Sequence, residues 1–318
     1  MIQMSSILPL LKKQGYYIII NTTPKGYKIV KEDPHIDEFL LQDTDQVPNE
    51  ELGEYWDYLS KKYDKFINLS ESVEATWLAM PGRMPYYWPS EVKDKYLNVN
   101  YMEFLHDLAG VPHEYGGGFY PAEDEIKWAE DLKNRWGKTI MWVLSGSSVH
   151  KTWPYMDHAI ARILLEYPEY KIVLVGDELS KMLEAGWEKE KRVIKTCGKW
   201  DIRQALTFAQ YCQIVIGPET GILNSVAFEP NIGKIIFLSH SSYINLTKHW
   251  YRTIALTPDG CDCYPCHQMH YGFSTCKRDA ETGVADCQAK ISLEKFWKAF
   301  RIMMGDEKWQ YQDLPILA

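Results

Sequence analysis

Along this chain, short apolar runs alternate with stretches in which apolar residues recur every three to four positions. The runs predict buried strands, and the recurrences predict amphipathic helices. In the first third this gives a helix over residues 5–14, ending at Gly15, a strand over 16–20, a helix over 25–31 and a strand over 36–41. A strongly patterned helix over 50–62, a strand over 65–69 and a helix over 101–109 follow, and the Pro- and aromatic-rich stretch 80–89 reads as irregular. Residues 111–121 carry Gly116, Gly117 and Gly118 between Pro112 and Pro121, a composition that breaks helix and strand alike and marks a linker.

Beyond the linker the rhythm becomes regular. Helices are predicted over 122–136, 155–166, 178–186, 202–210 and 221–228, and strands over 139–144, 171–175, 192–195, 213–216 and 234–238. A cysteine-bearing stretch and a helix over 293–304 close the chain. Strands alternating with helices indicate parallel α/β sheets. At 318 residues the chain suits two such domains better than one core, since single cores stop growing near ~250–300 residues. The expected division is a first domain over 1–119, a second over 120–304, and a tail over 305–318 that packs back on the first.

Composition narrows the partners. The net charge of −8 lacks the broad positive field that supplies non-specific nucleic-acid affinity. No run approaches the ~18 apolar residues of a membrane span, and residues 1–15 have no basic segment ahead of their apolar run, unlike a signal peptide. Seven cysteines, an odd number, argue against a fully paired disulfide framework, so the expected location is cytoplasmic. Cys197 and Cys212 lie on or beside predicted strands and read as buried small apolar groups.

In open α/β sheets, ligands bind beyond the carboxyl ends of the strands. Three such ends in the second half carry polar residues. After the strand over 139–144 come Ser145, Gly146, Ser147, Ser148 and Lys151, small residues that let backbone N–H groups approach an anion, with a cation behind them. After the next strand Gly176-Asp177-Glu178 offers carboxylates to ribose or sugar hydroxyls, or caps a helix. After the strand over 213–216, Glu219, Thr220, Gly221 and Asn224 open a helix, where they would meet a sugar or phosphate or form a capping box. In the cysteine-bearing stretch Cys263-x-x-Cys266 is followed by Cys276 and Cys287. That order suits a structural zinc site, and thiols packed in, or disulfides linking, an extended loop are the alternative.

Taken together, the Gly146…Lys151-x-Trp153-Pro154 segment, Gly176-Asp177-Glu178, Cys197-Gly198…Leu206, Gly217-x-Glu219-Thr220-Gly221 and the cysteine tail resemble the ADP-heptose:lipopolysaccharide heptosyltransferase family, glycosyltransferase family 9. The first third fits more loosely, through residues 5–13 and 33–37. The resemblance implies the GT-B fold, two Rossmann-like doubly wound domains facing a cleft, with the first domain lacking its first strand. It implies inverting, metal-independent transfer from an ADP-heptose-like nucleotide sugar to a saccharide or other hydroxyl acceptor, in lipopolysaccharide biosynthesis and with peripheral association with a membrane surface. Lys151 would contact the donor phosphates, Glu178 the nucleoside, and Glu219-Thr220-Gly221 the diphosphate and sugar. Two positions depart from the family: Glu219 stands where it has Asp, and Asn224 where it has His. The family's Gly-Asp pair, whose Asp is its catalytic base, is expected upstream of Met1. Within the chain Asp33, Asp37 and Glu71 are the alternative bases. A catalytically silent sugar-nucleotide-binding protein and a sugar-nucleotide epimerase of the same fold are the rival readings.

Overall fold

The structure is a computed structural model that describes residues 1–42, 47–70, 72–74 and 76–307. The predicted tail is thus seen only as far as residue 307, and Glu71 lies outside the described residues.

The predicted first helix is two pieces, a 3-10 helix over Ile2–Ser6 and helix α1 (Leu8–Lys13). Pro9 causes the break, because it has no N–H for a continuous ladder yet suits the first turn of a new helix. Strands β1 (Ile19–Thr22) and β2 (Glu38–Leu41) pair in parallel through helix α2 (Pro24–Val30), whose first turn is capped by Thr23. Helices α3 (Leu52–Ser60), α4 (Ser90–Leu97) and α5 (Tyr101–Ala109) complete the first half. Asn100 caps α5 by accepting the N–H groups of Met102 and Glu103, and Gly110, left-handed at φ 63°, ends it. The strand expected over 65–69 does not form. Ile67 and Leu69 pack on the cluster of Leu8, Leu10, Leu11 and Ile18, burying the apolar run without a hydrogen-bonded ladder.

The second half follows the predicted order: α6 (Glu123–Trp136), β3 (Lys138–Val143), α7 (Met156–Glu166), β4 (Tyr170–Val175), β5 (Val193–Lys195), α8 (Ile202–Ala209), β6 (Ile214–Pro218), α9 (Gly221–Ser225), β7 (Gly233–Phe237), α10 (Tyr243–Leu246), β8 (Thr253–Leu256), α11 (Asp286–Ala289) and α12 (Leu293–Met304). Two expected helices are shorter. Residues 178–186 hold only a 3-10 helix over Leu179–Glu184, and α9 stops at Ser225. The strand β8 and the helices α4, α10 and α11 went unpredicted.

All six strands β3 to β8 form one parallel sheet in the order β5-β4-β3-β6-β7-β8. Its residues sort by the period of two. Ile140, Trp142, Ile172, Leu174, Ile214, Ile216, Ile235 and Phe237 face α7 and α12. Met141, Val143, Val173, Val175, Val215 and Ile236 face α8 and α9. A sheet covered on both faces needs apolar residues at successive positions, which is why these strands read as continuous apolar runs. Each such side chain contributes about 1.5–3 kcal/mol when fully buried. No helix among the described residues is long and apolar enough to cross a membrane.

Arg203, on α8, ties the halves together. Its guanidinium is almost wholly buried and forms a fork on the Glu125 carboxylate at 2.6 and 2.7 Å. The same group donates to the carbonyls of Lys28, Ile29 and Tyr120 and lies over the Phe119 ring. One side chain thus bonds the end of α2, the linker and the start of α6. Replacing Arg203 with Leu strands the Glu125 carboxylate and three carbonyls, and urea unfolding should show a loss of about 3–5 kcal/mol. Breaking the exposed Lys138–Glu169 pair should cost less than about 1 kcal/mol in the same assay.

Candidate functional site

The strand order of the second half reverses between β3 and β6. Helices after neighbouring strands there lie on opposite faces, so the loops diverge and leave a crevice. Gly217 lets the two strands close up at that point: a Cβ there would come within 2.9 Å of the Val143 carbonyl oxygen. The crevice is part of a cavity of about 870 Å³, lined by the loops after β3, β4, β6 and β7 and, from the first half, by residues including Met1, Gln3, Met4, Leu69, Glu74 and Tyr101.

After β3, Ser145, Gly146, Ser147 and Lys151 all line the cavity. Gly146 makes room for the lysine, since a Cβ there would lie 2.5 Å from Lys151 Cδ. Lys151 is buried to 7 % exposure. Burial pulls its pKa down, and Coulombic attraction to Glu219 and Glu74 opposes that without a hydrogen bond. Ser148 stands behind the wall. Its hydroxyl donates to the His270 carbonyl at 2.5 Å and lies 3.2 Å from His150 Nδ1, so it holds the cysteine-bearing loop rather than facing the cavity.

After β6, Glu219, Thr220, Gly221 and Asn224 line the cavity. Glu219 is buried and accepts from the Ser241 N–H at 3.0 Å and the Ser239 hydroxyl at 2.8 Å, with His240 Nε2 at 3.1 Å. Burial raises its pKa, and Lys151 together with those donors pulls it back. Thr220 Oγ1 is buried with no hydrogen-bond partner. The Asn224 amide donates to the Thr220 carbonyl and accepts from Gln3 Nε2 at 3.0 Å, a bond between the two halves.

Glu178, expected on the nucleoside, lies outside the cavity wall. Its carboxylate pairs with Lys181 one turn on and is exposed to solvent. Asp177 takes the wall position and spends its Oδ1 on the N–H and hydroxyl of Ser180. Two further polar wall residues, Glu74 and His240, escaped the sequence reading, which did offer Asp177 beside Glu178. A fourth polar strand end, Ser239-His240-Ser241 after β7, follows the same rule as the other three and was legible by it. Glu74 sits in irregular chain and gave no signal.

Of the other candidate bases, Asp37 is bound to Lys12 and the Ile18 N–H, and Asp33 is bound to His35; neither lines the cavity. All seven cysteines are free, so no disulfide links the tail. Cys197 and Cys212 are buried in the two faces of the sheet. The cysteines of the expected zinc set lie near one another in this loop, with Cys263 and Cys287 each in electrostatic reach of Cys266 and Cys276. Cys263 Sγ lies 3.6 Å from Cys261, Cys287 packs with Cys261 and Ala285, and Cys266 Sγ lies 3.8 Å from His270 Nε2.

No protein-family model and no curated protein matches the chain. Solved structures do. A family 9 glycosyl transferase from Veillonella parvula superposes with TM-score 0.65 at 14 % identity, over 96 % of this chain and 94 % of that one. The ADP-heptose lipopolysaccharide heptosyltransferase II of E. coli gives 0.59 at 13 % identity, over 97 % and 96 %. The dodecameric iron-containing heptosyltransferase TibC, solved with ADP-D-β-D-heptose, gives 0.57 at 11 % identity, over 98 % and 76 %. At such identities the likeness is one of architecture, and the chain has the Rossmann-like GT-B fold of these glycosyltransferases.

Proposed function

We propose that this chain is a glycosyltransferase that moves a sugar from a nucleoside diphosphate donor to an acceptor hydroxyl. The carrying observation is a cation without a hydrogen bond, Lys151, sharing one cavity with the small-residue loop 145–147 and the unpartnered Thr220 hydroxyl. A diphosphate supplies what all three lack: negative charge for the ammonium and acceptor oxygens for the donors. Two of the similar structures are heptosyltransferases, one of them solved with ADP-D-β-D-heptose, which supports an ADP-heptose-like donor. The free thiols suit a reducing compartment such as the cytoplasm.

In the transfer, the bond from the anomeric carbon to the diphosphate oxygen breaks while one to the acceptor oxygen forms on the opposite face, inverting the centre. Charge grows on the departing diphosphate, where Lys151 and the loop N–H groups stabilise it; as proposed, this step uses no metal. The acceptor proton needs a carboxylate. Among the described acidic residues of the wall, Glu219, Asp177 and Asp201 are occupied by hydrogen bonds. Glu74 has no such bond and acts on Lys151 through space, so we assign the proton to Glu74. Ser145, Gly146, Ser147, Lys151, Thr220 and Gly221 would hold the diphosphate, and Glu219 and Asn224 would shape the sugar end. Ser148 would act from behind the loop. Glu178, at the rim, would reach a nucleoside only if its Lys181 pair opened.

Incubation with a panel of nucleotide sugars and acceptor extract should release free nucleoside diphosphate and yield a glycosylated product. Binding without turnover would replace this reading with a silent binding protein, and an isomeric nucleotide sugar would replace it with an epimerase. Lys151→Ala should weaken nucleoside diphosphate binding by calorimetry, by about 1.5–3 kcal/mol for one charged hydrogen bond, with a smaller change in unfolding midpoint. Glu74→Gln should lower kcat by roughly a hundredfold or more with little change in donor KM, as expected of a lost general base.

A further inference from the structure

The Glu219 carboxylate and the Lys151 ammonium attract one another inside the cavity, yet no ion pair joins them among the described residues. In a buried site such a pairing is strong, and a Lys151 closed on a carboxylate has little left to offer a diphosphate. The loop after β7 holds the carboxylate back. The Ser241 N–H donates to Oε1 at 3.0 Å, and Oε2 meets the Ser239 hydroxyl at 2.8 Å and His240 Nε2 at 3.1 Å. We propose that His240, braced by His150, is a positioning residue that keeps the Glu219 carboxylate off Lys151, so that the ammonium stays open to the diphosphate. The role rests on the diphosphate reading of this cavity.

Of the two side-chain donors, the histidine is the one gripped at its far end. Burial, with the Lys151 charge beside it, holds His240 well below the usual histidine range, and burial pulls His150 down to about 3, so both rings are neutral. A neutral imidazole has one N–H and one bare nitrogen. With Glu219 as a carboxylate, His240 donates from Nε2 and must accept at Nδ1, and His150 Nε2, 2.6 Å away, is the donor to that nitrogen. His150 is steadied in turn: its Nδ1 lies 3.2 Å from the Ser148 hydroxyl, which donates to the His270 carbonyl. A lone hydroxyl can rotate, whereas a ring bonded at both nitrogens keeps its direction.

The relay also fixes both ends of the attraction. His150 is the residue before Lys151, and His240 bonds Glu219, so one line of contacts sets how far apart the two charges stand. A buried carboxylate that needed only neutralising would close on the cation. Here neutral dipoles solvate Glu219 instead, and the cation is left without a hydrogen bond.

Two variants separate the ends of the ring. In His240→Gln the amide stands where Nε2 stands and still donates to Glu219; in His240→Asn it stands where Nδ1 stands and falls short. With ADP as the probe, calorimetry on the full chain should show His240→Asn binding roughly tenfold or more weaker than the unaltered protein, and His240→Gln within about twofold of it, as expected for one hydrogen bond to a charged group. In a Glu219→Gln background the His240→Asn change should have no effect, because an amide carries no charge to close on Lys151. A merely structural histidine would give the same loss in both backgrounds. That result, or equal binding by the two His240 variants, would overturn the role and leave the diphosphate reading standing; no ADP binding by the unaltered chain would overturn both. Nitrogen NMR on the unaltered protein should find His240 protonated at Nε2 and bare at Nδ1, and the opposite tautomer would also overturn the role, so misfolding of a variant leaves the test intact.

Discussion

The reversal of strand order between β3 and β6 is the constraint on which the rest of the molecule depends. Everything placed in the cavity is placed by it: the loop with Lys151 leaves β3 toward one face, the loop with Glu219 leaves β6 toward the other, and space opens between them. The reversal demands that β3 and β6 touch closely. Gly217 permits this, because the space a side chain would need is taken by Val143. The alternation of apolar residues on both faces then fixes the register, since a slip of one residue would exchange the two cores.

Charge is arranged around that opening in an unfinished way. Glu219 is buried but fully hydrogen-bonded, whereas Lys151, almost as buried, attracts Glu219 and Glu74 only through space. A buried cation without hydrogen bonds is costly, and a buried hydroxyl without a partner adds to the cost. Folded proteins tolerate such features where a ligand completes them. This asymmetry, rather than the size of the cavity, makes the diphosphate reading more economical than a structural role for the same residues.

The sequence was most informative where two physical signals agreed. Period and turn chemistry coincided at α5 in the first half and α12 in the second, which fall on their predicted bounds because Asn100 and Ser292 cap them and Gly110 and Gly305 end them. It misled where one signal stood alone. Residues 65–69 look like a strand because Ile67 and Leu69 are apolar, but burial can be satisfied without a ladder. Glu178 reads like Asp177 in sequence, and only the turn decides which carboxylate faces inward. Pairings distant along the chain, such as His150 with His240 or Arg203 with Glu125, leave no local mark at all.

The same hydrogen bonds that organise the cavity run on beyond it. Glu219 faces the cavity on one side and His240 on the other, and His240 meets His150, the residue before Lys151. His150 also abuts Ser148, which holds the backbone of His270, and Met269 pairs with Ala79 of the first half. A displacement of the cysteine-bearing loop would therefore be felt at Glu219 through two imidazoles and at Lys151 through one peptide bond. The loop is short of regular structure of its own, and backbone hydrogen bonds to Ala79, Val149 and His240 hold it in place together with side chains. The Val149 N–H and the Ser148 hydroxyl both donate to the His270 carbonyl, so the loop sets the Lys151 segment before any substrate arrives, which is the preorganisation that electrostatic stabilisation of a leaving diphosphate requires.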